Sequence, residues 1–250
     1  MAVNVVTPAP AVLNGTGSSI STAFSVPATS DCAVCHLTYD ITTSTVTVNA
    51  ITYAGATMTS TGAPVDNNLG ANAVSHNYAQ QFTKVAPATG SNTLAVTFSA
   101  STVDWYANVV GFIGVDQTTP VLAGSVVKNT ATDTSDGSSN FSKSIPSSTD
   151  GRSVTIVMPC GGNNITATNQ TQDGTFSLAG TNSCGDDHCT TAATSVTHTW
   201  GVGGANTGVV FSGFTLAATA VASTANDSLP NLGIKGISMQ HMAQPRGWVG

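Results

Sequence analysis

Thr45-Val46-Thr47-Val48-Asn49-Ala50-Ile51-Thr52-Tyr53 alternates polar and apolar residues with a period of two. That is the signature of a half-buried strand, because successive side chains point to opposite faces of a sheet. The same pattern returns along most of the chain. It recurs at Ala56–Ser60, at Asn77–Val85 with Tyr78, Phe82 and Val85, and at Thr93–Phe98. Trp105–Val115 is more continuously apolar, as a strand covered on both faces should be. Ser153–Met158, Gly174–Ala179, Ala193–Trp200, Gly208–Ala220 and Gly233–Met242 complete the series, with a short strand near Phe141. Turn signals punctuate it, including Gly55, Pro87-Ala88-Thr89-Gly90 and Asp116–Pro120. About ten to twelve short strands spaced this way predict an all-β, jelly-roll-like antiparallel sandwich.

Composition supports the same class. All 12 acidic residues are aspartate, and six lysines and arginines bring the charged share to 7%. Soluble chains usually carry ~25% charged residues. Without glutamate and with few lysines, the outer faces of helices lack their usual residues, which excludes a helical bundle or a Rossmann-type enzyme. Serine and threonine cover the surface instead. A net charge of −6 argues against phosphate tracking, so no nucleic-acid partner is expected. No window is long and apolar enough for a helical membrane span, so no membrane partner is expected.

Residues 1–31 are rich in Ala, Pro, Thr and Ser, with Pro8, Pro10 and Pro27 interrupting any ladder. We expect an extended arm there, with one strand at Ile20–Val26, reaching toward a neighbouring subunit. Residues 32–250 are expected to form one sandwich domain. Met1–Pro8 has neither a basic n-region nor an apolar core. Cytosolic synthesis followed by exposure on lysis, as for a virus particle component, reconciles that start with an extracellular-type composition.

Two segments carry a resemblance. Tyr78–Val96 reads YAQQFTKVAPATGSNTLAV, and Val109–Pro120 reads VVGFIGVDQTTP. A strand, a turn, a second strand and a central strand ending G-x-D-Q-x-T-P resemble a β-sandwich family. It recurs in bacteriophage and bacterial reading frames. Val48–Gly55 looks like its first hairpin and Gly233–Met239 like its last strand. The resemblance implies a jelly-roll-like fold and an accessory virion or surface role, with no catalytic residues to carry over. The expected function is a non-enzymatic capsid decoration or cement subunit, with the major capsid protein, other virion subunits and its own copies as partners. A tail or head fibre binding a host glycan, and a secreted adhesin or sugar-binding module, are the alternatives.

The cysteines are the main candidate sites. Cys32-Ala33-Val34-Cys35-His36 matches C-x-x-C-H, the attachment motif of c-type haem. Cys184-Gly185-Asp186-Asp187-His188-Cys189 reads as a tight turn that a Cys184–Cys189 disulfide would close. Cys32 and Cys35 are disulfide candidates as well. Together with His36 and His188 the four cysteines could instead supply a tetrahedral zinc site. Cys160 is left over, as a buried free thiol or an intermolecular link. Disulfides without metal or cofactor are the expected outcome. Asp66, Asp116, Asp133, Asp136, Asp150 and Asp173 read as turn formers. His76, His198 and His241 read as ordinary histidines, while Trp105 and Trp200 fall in core strands and Trp248 near the C-terminus. None forms a paired-carboxylate site of the kind glycoside hydrolysis requires.

Overall fold

The computed structural model describes residues 1–6, 13–41, 46–67, 76–129, 140–159, 165–177, 183–189, 193–202 and 208–220. They belong to one unit, residues 1–220. Among the described residues there are 17 strands, all paired antiparallel, and no helix. The fold is therefore all-β and sandwich-like, as the period-two pattern requires.

The largest sheet has nine strands. They are β1 (Asn4–Val6), β2 (Leu13–Val26), β3 (Cys32–Ile41), β4 (Val48–Tyr53), β5 (Ala56–Thr57), β6 (Thr59–Ser60), β7 (Val65–Asn67), β8 (His76–Val85) and β9 (Gly90–Ile113). The path β5-β4-β9-β3-β8-β6 curls into a nearly closed barrel. β9 is one strand of 24 residues, where the sequence pattern shows two. β2 pairs along it from Gly90 to Ala107, β4 pairs with its first part, and β3 and β1 pair with its second. The barrel encloses Ile20, Phe24, Cys35, Leu37, Tyr39, Tyr53, Phe82, Leu94 and Val109, all buried. Tyr39 stacks on Tyr78 with ring centroids 4.8 Å apart.

Two further sheets follow as successive layers outside the barrel wall. The five-stranded one has the order β10-β17-β12-β15-β14. Its strands are β10 (Val127–Lys128), β12 (Arg152–Pro159), β14 (Thr171–Ser177), β15 (Ser183–His188) and β17 (Val209–Leu216). The three-stranded sheet is β11 (Asn140–Pro146), β16 (Ser195–Gly201) and β13 (Thr166–Ala167), with β16 central. The five-stranded sheet is a middle layer. Val154, Ile156, Met158, Val210, Phe214 and Leu216 face the barrel, whereas Val157, Val209 and Phe211 face Trp200, Phe141 and Ile145 of the outer sheet. Covered on both sides, β17 is buried at all eight positions.

Three local expectations change. The N-terminal segment is extended, but β2 makes twelve registered pairs with β9 of its own chain and is twice the length of the expected strand. Its described residues are thus committed to the fold and do not form a free arm. Ladder hydrogen bonds satisfy backbone groups that a detached arm would leave to water. Secondly, Cys32–Ile41 is a central strand paired on both edges. Thirdly, Ser183–His188 is a strand and not a tight turn, because the ladder to β12 supplies its hydrogen bonds. The expected strand Gly233–Met242 lies outside the described residues, as do Cys160, Asp133, Asp136, His241 and Trp248.

Candidate functional site

The sheet geometry decides the fate of the cysteines. Residues three apart on a strand point to opposite faces. Cys32 accordingly packs with Val34 and Phe112 outside the barrel wall, while Cys35 packs inside it. Cys184 and Cys189 stand at the two ends of an extended stretch, again on opposite faces. All four are free, buried thiols. The expected disulfide between Cys184 and Cys189 does not form, nor does one within the Cys32 and Cys35 pair. The same separation breaks up both metal-binding alternatives. Among the described residues no group of three or more His, Cys, Asp or Glu is placed to hold a metal ion. Burial pushes the Cys32 thiol up to about 12 and Cys35 higher still.

A different constellation emerges between the middle and outer sheets. Ser153 on β12, Asp187 on β15 and His198 on β16 converge from three strands. His198 Nδ1–H donates to Asp187 Oδ1 at 2.7 Å, and Ser153 Oγ–H donates to His198 Nε2 at 2.8 Å. All three residues have no exposed surface. Thr155 Oγ1 donates to the same Asp187 oxygen and accepts from Trp200 Nε1 at 3.2 Å. Asp187 Oδ2 is buried with no partner. The order nucleophile, imidazole, carboxylate is the arrangement that activates a serine hydroxyl. Here it is sealed between sheets. The backbone N–H of Ser153 is directed to Cys189 Sγ at 3.2 Å.

The opposite face of β15 carries a second polar group of residues, against the barrel wall. Asp186 accepts from Tyr106 Oη at 2.5 Å and from Asn108 Nδ2 at 2.7 Å. Complete burial, followed by the nearby Asp173 carboxyl, raises the Asp186 carboxyl well above its ordinary range. His188 Nδ1–H donates to both Asp173 oxygens, at 2.7 and 2.8 Å. Burial outweighs this partner, so Asp173 also titrates high. Asp173 reaches inward because the β14 ladder shifts register between Gln172 and Gly174. It is no turn residue, unlike Asp116, which caps a turn by accepting from Thr118 N and Thr119 N at 2.8 and 2.9 Å.

Across the barrel wall Gln81, His36 and Asn108 stand side by side on β8, β3 and β9. Gln81 Nε2–H donates to His36 Nδ1 at 3.0 Å, which puts the ring proton on Nε2. Desolvation, then His188, drives the His36 pKa down to about 3. His36 Nε2, Gln81 Oε1 and Asn108 Oδ1 are buried without partners.

Sequence reading misses Ser153, Thr155, Asn108 and Gln81, and treats His198 as ordinary. The one available signal is the acid pair Asp186-Asp187 beside His188 in a chain with so few charges. Their partners lie on strands whose pairing no local pattern reveals. No protein-family model, curated protein or solved structure matches the chain. Fold and site define an all-β, sandwich-like protein with an internal polar network between its layers.

Proposed function

We propose that the protein is a non-enzymatic structural subunit of a bacteriophage particle, a decoration or cement protein on the capsid shell. The observation that carries this reading is where its reactive side chains lie. Ser153, Asp187, His198, Asp186 and His36 are all fully buried between sheets. In the closed fold they pin layers together and meet no substrate. The outward strand positions are hydroxyl-rich. Ser142 bonds Thr199 at 2.9 Å and Ser144 bonds Thr197 at 2.7 Å across the outer sheet. Met1 and Val126 are the exposed large apolar residues among those described. Such a surface suits many shallow contacts in a symmetric shell. Modest contacts add through avidity, and low charge keeps repulsion between copies small.

The family resemblance of Tyr78–Val96 and Val109–Pro120 falls largely on β8 and β9, which build the barrel wall, and supports the same class. Because β2 is committed to its own sheet, shell contacts in this reading come from sheet surfaces and loops, with the major capsid protein or further copies as partners. The cysteines would not lock the shell through the four described positions.

The test is copy number in purified particles. A ratio to the major shell protein near one is expected. A few copies per hundred would move the protein to a fibre or vertex that binds a receptor, and absence from particles would overturn the reading.

A further inference from the structure

We propose that Ser153 is a latent nucleophile, a covalent modification site for small activated acyl or phosphonyl esters. The geometry asks for little more than access. Ser153 Oγ already gives its hydrogen bond to His198 Nε2, and His198 is oriented by Asp187. Asp187 is in turn held by Thr155, itself tied to Trp200. Among the described hydroxyls, this one is hydrogen-bonded to an imidazole with a carboxylate behind it. A polar pin needs a donor and an acceptor. It does not need this order of three groups, in which every proton has a place to go.

Ser153 is the second residue of β12, and the turn 147–151 leads directly into that strand. The turn is anchored by Ser147 N donating to Thr194 O at 2.9 Å and by Val3 N donating to Asp150 O at 2.8 Å, and is closed internally by Gly151 N donating to Ser148 O at 3.1 Å. Ser147 Oγ is buried there without a partner. In this proposal Ser153 is reached by local opening of this turn in a rapid equilibrium, which costs less than global unfolding, and the attack itself limits the rate.

The step balances with an alkyl fluorophosphonate as reagent. Ser153 Oγ attacks phosphorus, the O–P bond forms, and the P–F bond breaks with fluoride leaving. The hydroxyl proton passes to His198 Nε2, and the imidazolium faces Asp187.

The experiment treats the full native chain with an alkyl fluorophosphonate, and maps the adduct by peptide mass spectrometry. One phosphonyl group on Ser153 is expected, with exposed serines and threonines unlabelled. Its rate should fall at least tenfold in His198→Gln, and the preference for Ser153 should vanish when the wild-type chain is unfolded in urea. Labelling spread over surface hydroxyls, no adduct on Ser153 within a day, or equal labelling of the folded and unfolded chain would overturn the proposal. The wild-type map and the urea control decide the matter even if His198→Gln does not fold. Neither depends on where the protein resides in a particle.

Discussion

Asp186 and Asp187 are neighbours in sequence and serve different interlayer spaces. Asp186 binds Tyr106 and Asn108 of the barrel wall, while Asp187 binds His198 of the outer sheet. β15 is thus a polar rivet through the middle layer. Alternation along the strand forces this division, and burial makes each carboxylate dependent on its partners.

Asp187→Asn should be destabilising. It replaces the carboxylate that accepts from His198 and Thr155, in a site with no exposed surface, by an amide whose N–H groups find no acceptor. Leaving buried polar groups unsatisfied costs about 1–3 kcal/mol. Urea midpoints by circular dichroism should fall accordingly, whereas Asp116→Asn on the exposed turn should shift them little.

Acid should weaken the fold through His36. Its folded pKa is lowered from 6.5 to about 3, so between those values the unfolded chain takes up a proton that the folded one refuses. Stability from this group is full above pH 6.5 and is lost as pH falls toward 3. At ~1.4 kcal/mol per unit, the loss is about 3 kcal/mol at pH 4. Asp186 acts with the opposite sign. Its raised folded pKa makes stability fall as pH rises out of the ordinary carboxylate range. Comparing urea unfolding of wild type and His36→Gln at pH 7 and pH 4 isolates the histidine. The variant should lose less on acidification, and equal losses would refute the assignment.

Gly185 is a packing requirement. A Cβ there would meet Trp200 Cζ3 at 2.9 Å and Gly174 O at 3.3 Å. Trp200 is fully buried and bonded to Thr155, so it has little room to yield. Gly185→Ala should cost about 1–3 kcal/mol, as overpacking does. A lowered thermal midpoint with a red-shifted tryptophan emission would register both the loss and its location.

The four described thiols should be silent in the native state. Each is buried and free, and the Cys32 and Cys35 thiols are held far above the thiolate range. Iodoacetamide at pH 8 should leave Cys32, Cys35, Cys184 and Cys189 unmodified until denaturant is added, and a reductant should leave the unfolding midpoint unchanged. A midpoint that drops with reductant would restore the disulfide reading for these positions.

Much of the strand content is legible in the amino-acid pattern. Asn77–Val85, Ser153–Met158 and Ala193–Trp200 carry their alternation in plain view, because one face of each must be apolar. Cys32–Ile41 and Ser183–His188 are obscured for a shared reason. In both, closely spaced cysteines and histidines imitate binding motifs, and the polar residues that break the alternation are buried against partners far away in sequence. His36 meets Gln81 across 45 positions, and Asp186 meets Asn108 across 78.

The class of fold follows from the residues alone. A chain without glutamate, with few cations and a pervasive period of two, can bury its apolar residues only by folding as sheets. Which sheets meet is a matter of long-range packing. Only the stacking of a five-stranded layer between the barrel wall and an outer sheet brings Ser153, Asp187 and His198 within hydrogen-bond reach. Strand alternation dictates which face a side chain takes, while long-range pairing dictates what it finds there.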